Sequence, residues 1–111
     1  MDNLRSFLET IYNVYLKLYK NATQSKNKKM LAISAIIYNY LISMSNEHNI
    51  IVKDLKLQDD IIMIPYFKYL EDNNIELFDF NNINESELNV SNKKDIERFV
   101  LTHVYYLTQK Q

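Results

Sequence analysis

The chain predicts an all-α domain, a compact bundle of four or five helices, on three observations. Its apolar residues recur three and four positions apart, the period of a helix face, and not two apart as in a strand. Glycine is absent and proline occurs once, so only short polar runs break the helical pattern. With 111 residues, 47% of them hydrophobic and 24% charged, one compact core spanning residues 1–111 is expected.

Leu4, Phe7, Leu8, Ile11, Tyr15 and Leu18 mark one face of a first helix over about 3–20, broadened by Tyr12, Leu16 and Tyr19. The polar stretch Asn21 to Lys29 then reads as a turn, because short polar side chains compete for backbone hydrogen bonds. A second helix, about 27–46, repeats at Met30, Ile33, Ile37, Tyr40, Leu41 and Met44 and carries Leu31, Ala35, Tyr38 and Ile42 on its other side. Being apolar nearly all round, it is expected to be the central helix around which the others pack. Asn46 or Asn49 is the expected left-handed residue at its end.

Residues 50–57 read as a connector. Asp59 and Asp60 suit the first turn of a third helix running to about residue 72, with Pro65 kinking or splitting it. An acidic, Asn-rich loop is expected near 73–92, pinned in part by Ile75, Leu77, Phe78 and Phe80. The last helix starts after Asn92, with Asp95 in a capping-box-like position and a stripe of Ile96, Phe99, Val100, His103 and Leu107.

Composition removes most small-enzyme chemistries. Without glycine or cysteine there is no phosphate-cradling loop, dinucleotide fingerprint, thiolate metal site or disulfide. No cofactor is expected, and no metal either, since His48 and His103 are far apart and no His-Glu-x-x-His helix occurs. Asn, Ile, Lys, Tyr and Phe, whose codons are AT-rich, supply 52 of the 111 residues, which points to an AT-rich bacterium, phage, mobile element or virus. The N-terminus reads as an amphipathic helix and not as a secretion signal, so an intracellular, cytoplasmic protein is expected. The longest apolar run, Met30 to Met44, is 15 residues, short of the roughly 20 a membrane span needs.

A net charge of −1 conceals a separation. Residues 10–46 hold five Lys and no acid, whereas residues 47–92 hold ten acids against three Lys. Lys17, Lys20, Lys26, Lys28 and Lys29, interleaved with Tyr15 and Tyr19, form a patch able to track a phosphate backbone. Glu71, Asp72, Glu76, Asp79, Glu85 and Glu87 form an acidic face able to meet a basic partner, or to imitate nucleic acid. Nine tyrosines exceed what one small core needs, and Tyr12, Tyr19, Tyr38, Tyr66, Tyr69, Tyr105 and Tyr106 suggest an interface, including that of a homodimer.

On the last helix, Arg98 and His103 form an Arg-x4-His arrangement followed by Tyr105 and Tyr106. The arrangement resembles the short signature of HEPN-type ribonucleases, small all-helical domains in which an Arg and a His meet across a dimer cleft. The resemblance implies a His exchanging protons with an RNA 2′-hydroxyl and an Arg stabilising charge on the phosphate. Phe99 stands where that family usually has a polar residue.

The reading favoured by these residues is a small non-enzymatic interaction protein that binds and masks a protein partner, as an inhibitor, immunity protein or accessory factor does. The alternatives are the HEPN-like ribonuclease toxin using Arg98 and His103, and a nucleic-acid-binding module using Lys17–Lys29.

Overall fold

A computed structural model describes residues 2–57, 61–78 and 93–109, with the side chains of Asp2 and Asn3 left aside. Among the described residues four α-helices occur in order: α1 Asp2–Ser25, α2 Lys28–Glu47, α3 Ile64–Asp72 and α4 Lys93–Gln109, with a short 3-10 turn at Val52–Asp54. There is no strand among the described residues. The radius of gyration, 13.4 Å, is close to the roughly 13 Å of a compact chain this long.

α1 and α2 form a hairpin. The turn between them is tighter than the polar run suggests: α1 continues through Asn21–Ser25, and only Lys26 and Asn27 reverse the chain. Lys26 adopts a left-handed φ of 56°, and Asn27 caps α2 by accepting from the Met30 amide at 3.1 Å. At the other end of α2 the left-handed position falls to Asn49, φ 57°, one of the two expected residues.

The helix that packs most extensively is α1, not α2: its backbone lies chiefly against α2 and α3 and also meets α4. Phe7, Leu8, Ile11, Val14, Leu18 and Ala22 of α1 are buried, and so are its polar Thr10 and Asn13. On α2 burial is one-sided. Ile37, Tyr40, Leu41 and Met44 face the core, while Ala35 and Tyr38 on the opposite side are exposed.

The reason lies in a polar strip on α1. Thr10 shares its hydroxyl hydrogen between the carbonyls of Ile62, at 2.9 Å, and Ser6. Asn13 donates to the Lys56 carbonyl at 3.1 Å, the Lys56 amide donates to Glu9 at 2.8 Å, and Arg5 donates to the Asp54 carbonyl at 2.8 Å. α1 thus holds the connector along a second flank by meeting its backbone groups, which allows burial without an apolar surface.

Pro65 does not kink a helix; it occupies the first turn of α3, where its missing N–H costs nothing. Residues 61–63, expected to be helical, precede that start and are not. After α3 the chain is held on α4: the Phe78 amide donates to the buried Thr102 hydroxyl at 3.0 Å, and Ile75 and Leu77 pack on the core. The remainder of the Asn-rich segment, 79–92, including Phe80 and the Asn92 cap, lies outside the described residues. Thr102→Val is expected to leave the Phe78 amide unmet and to lower stability by about 1–2 kcal/mol. Urea unfolding together with faster hydrogen exchange at Phe78 checks this; unchanged exchange there would contradict it.

Candidate functional site

The residues singled out by sequence fall into separate regions. Lys17, Lys20, Lys26, Lys28 and Lys29 are all exposed, gathered toward the closed end of the α1–α2 hairpin. Beside them the rings of Tyr15 and Tyr19 stack at 5.8 Å, and Tyr15 meets Tyr38 at 5.0 Å. Glu71, Asp72 and Glu76 are exposed at and just beyond the end of α3, whereas Asp79, Glu85 and Glu87 lie outside the described residues.

Arg98 and His103 are drawn into packing. The Arg98 guanidinium lies 4.0 Å from the Phe78 ring centre, and its Nε donates to the Glu76 carbonyl at 2.7 Å, tying the segment after α3 to α4. His103 is 4% exposed, its Nδ1 2.9 Å from the Phe99 carbonyl one turn back and its ring against that of Phe99. Among the described residues no cluster of three metal-ligating side chains occurs, and no helix is long and apolar enough to cross a membrane.

The tyrosines divide. Tyr66, one of the tyrosines that suggest an interface, is fully buried, and its hydroxyl donates to the Leu101 carbonyl at 2.6 Å. Tyr69 is half-buried with its ring stacked on Phe7 at 3.9 Å. Tyr19, Tyr38 and Tyr105 remain exposed. Tyr105 meets Phe67 edge-on at 5.9 Å, and Phe67 lies one turn along α3 from Ile64. Ile64, Phe67 and Tyr105 are 75%, 44% and 37% exposed, forming an uncovered apolar face that α3 continues into Glu71 and Asp72.

A second feature was not marked by sequence. Between α2 and α4 lies a groove of about 480 Å³, walled by Ile36, Met44 and Ile96 and by the rings of Tyr40 and Tyr69. Glu97 also lines it. One carboxylate oxygen, Oε2, accepts from the Tyr40 hydroxyl at 2.7 Å and from the Tyr69 hydroxyl at 3.0 Å, joining α2, α3 and α4. At the mouth Lys93 of α4 pairs with Glu47 of α2 at 2.5 Å, which lowers the Glu47 pKa through that hydrogen bond and the lysine charge. The sequence clue was available: Glu97 precedes Val100, Leu101 and Val104 by three, four and seven, so it occupies the core-facing stripe.

Burial, then the adjacent Glu97 charge, pushes the Tyr69 hydroxyl up to about 12 and the Tyr40 hydroxyl well above its ordinary value. Burial raises Tyr66 as well. The folded state therefore keeps protons that the unfolded chain releases near pH 10, so this contribution is complete below about pH 10 and is lost as pH rises toward 12 and beyond. Thermal stability is expected to be level from pH 7 to 9 and to fall above 10. The variant combining Tyr40→Phe and Tyr69→Phe should fall less steeply, and an equal slope would contradict the assignment.

Compared with protein-family models, curated proteins and solved structures, the chain matches none of them.

Proposed function

We propose that this chain is a small non-enzymatic interaction protein that acts inside cells by covering the surface of a protein partner. An inhibitor, an immunity protein or an accessory factor of an AT-rich bacterium, phage, mobile element or virus would work in this way. The observation that carries the reading is the uncovered Ile64, Phe67 and Tyr105 face. Aromatic and aliphatic side chains left together in water anchor interfaces when a partner desolvates them. The exposed acids Glu71, Asp72 and Glu76 give the surface a negative edge, suited to a basic partner and to fast, charge-steered encounter. A homodimer through this face is one form that the partner takes.

The test is charge reversal at the edge. Glu71→Lys with Glu76→Lys is expected to slow association with the co-purified partner and to weaken its dependence on salt; an unchanged association rate would remove the acidic edge from the account.

The exposed tyrosine stack beside Lys17 and Lys20 favours a second reading, a nucleic-acid-binding module on the α1–α2 hairpin. Tyr19 and Tyr38 would stack on bases while the lysines follow the phosphates. That reading requires an affinity for single-stranded nucleic acid that falls steeply with salt, and a flat response dismisses it.

A further inference from the structure

The groove between α2 and α4 holds a carboxylate whose two oxygens are treated differently. Glu97 Oε2 accepts two tyrosine hydroxyls, while Oε1 accepts from none of the described residues, and no cation among them lies within ion-pair distance of either oxygen. Lys93, one turn back on α4, is engaged by Glu47. A negative charge is therefore held in place by neutral donors, between apolar walls, at one side of an accessible groove.

We infer that this groove is a binding site for a small organic monocation, an ammonium group carried on an apolar body. The ammonium would bond to Glu97 Oε1 beside Tyr40 and Tyr69, while the body fills the space between Ile36, Met44 and Ile96. Its volume, about 480 Å³, falls within the roughly 300–1,000 Å³ of sites for whole small molecules and exceeds what one inserted side chain needs. The lining narrows the choice further. An anion would meet the Glu97 carboxylate, and the further cations of a polyamine would lie against the apolar side chains of Ile36, Met44 and Ile96. One cationic head with an apolar tail satisfies both the carboxylate and those walls. This site is separate from the Ile64, Phe67 and Tyr105 face, none of whose residues lines the groove.

The experiment is an NMR titration of the full chain with phenethylammonium and, as its neutral counterpart, phenethyl alcohol. Phenethylammonium is expected to shift the methyl signals of Ile36, Met44 and Ile96 to saturation and to bind roughly 10-fold more tightly than the alcohol. Glu97→Gln, which preserves an acceptor for both tyrosines, should abolish that preference and spare the alcohol. Ser43→Trp, which fills the groove from an exposed position and leaves Glu97 intact, should weaken both ligands, and Ile64→Asp, at an exposed position outside the groove, should change neither. Equal affinity for the two ligands, a preference that survives Glu97→Gln, saturable shifts confined to other surfaces, or no binding would each overturn the inference. Tighter binding of a hexa-arginine peptide than of phenethylammonium would overturn it too, making the carboxylate a contact for a protein.

Discussion

Phe7→Ala is expected to destabilise the protein by about 3–5 kcal/mol, a large part of the roughly 5–15 kcal/mol that holds a domain of this size together. Phe7 is fully buried on α1, the helix that contacts each of the others. Its ring stacks on Tyr69 at 3.9 Å and lies 6.5 Å from Tyr66, so it joins α1 to α3 and supports the tyrosine that holds Glu97. Truncation removes the transfer free energy of the ring and leaves a cavity beside two large rings that cannot collapse into it. A fall in melting temperature on the order of 15 °C should follow. Because Tyr69 loses its stacking surface, its hydroxyl pKa should also move back from about 12 toward the ordinary value, read by tyrosinate absorbance. A loss below about 1 kcal/mol would show that α1 is not the helix on which the fold depends.

The second large effect concerns binding and not stability. Phe67→Asp should lower affinity for the partner by roughly 30-fold or more, the scale set by a truncated interface anchor of about 2 kcal/mol. The charge is placed where an apolar ring would be desolvated, next to the edge of Tyr105. Phe67 also touches Tyr66, at 5.2 Å, so a loss of binding has to be separated from a loss of fold. Ile64→Asp makes that separation: Ile64 is 75% exposed in the first turn of α3, where an acid is favourable, so its fold should be unaffected while binding still falls. Normal binding by both variants would exclude this face as the contact.

Much of the architecture is written in local periodicity, and what is missed is written in pairings that periodicity does not record. The α4 stripe follows from side chains three and four residues apart, and both α2 and α4 lie close to their expected ranges. The centre of the bundle does not follow in this way. Apolar residues all round α2 suggested that it would be surrounded, yet α1 took that place by bonding through Thr10 and Asn13 to a connector about 43–52 residues away. Hydropathy scores those two residues as surface. Pro65 shows a different ambiguity: the same ring that breaks a helix interior also suits a first turn, and the choice depends on where the helix begins.

The candidate sites divide along the same line. The exposed lysines and Glu71, Asp72 and Glu76 were legible, since charge alone places them in water. Of the uncovered face only Tyr105 was legible, as one of the surplus tyrosines, because Ile64 and Phe67 have the composition of core residues and only the packing of α3 against α1 leaves them outside. The Glu97 pair of hydroxyls comes from Tyr40 and Tyr69, 57 and 28 residues away, which no local motif records. Arg98 and His103 stood out for their spacing, but a single helix directs them to different surroundings: the Phe78 ring and Glu76 carbonyl for Arg98, the buried stripe for His103.

The central claim, that the chain works by covering a protein partner through the Ile64, Phe67 and Tyr105 face, is tested most directly by affinity purification. The tagged chain and its Ile64→Asp variant would be recovered in parallel from a low-GC bacterial lysate without nuclease, reading absorbance at 260 nm and the mass of whatever co-elutes. The account predicts a stoichiometric protein with the wild type, no excess absorbance at 260 nm, and loss of that protein with the variant. Co-elution of nucleic acid in place of a protein, or a protein retained equally by Ile64→Asp, would contradict it.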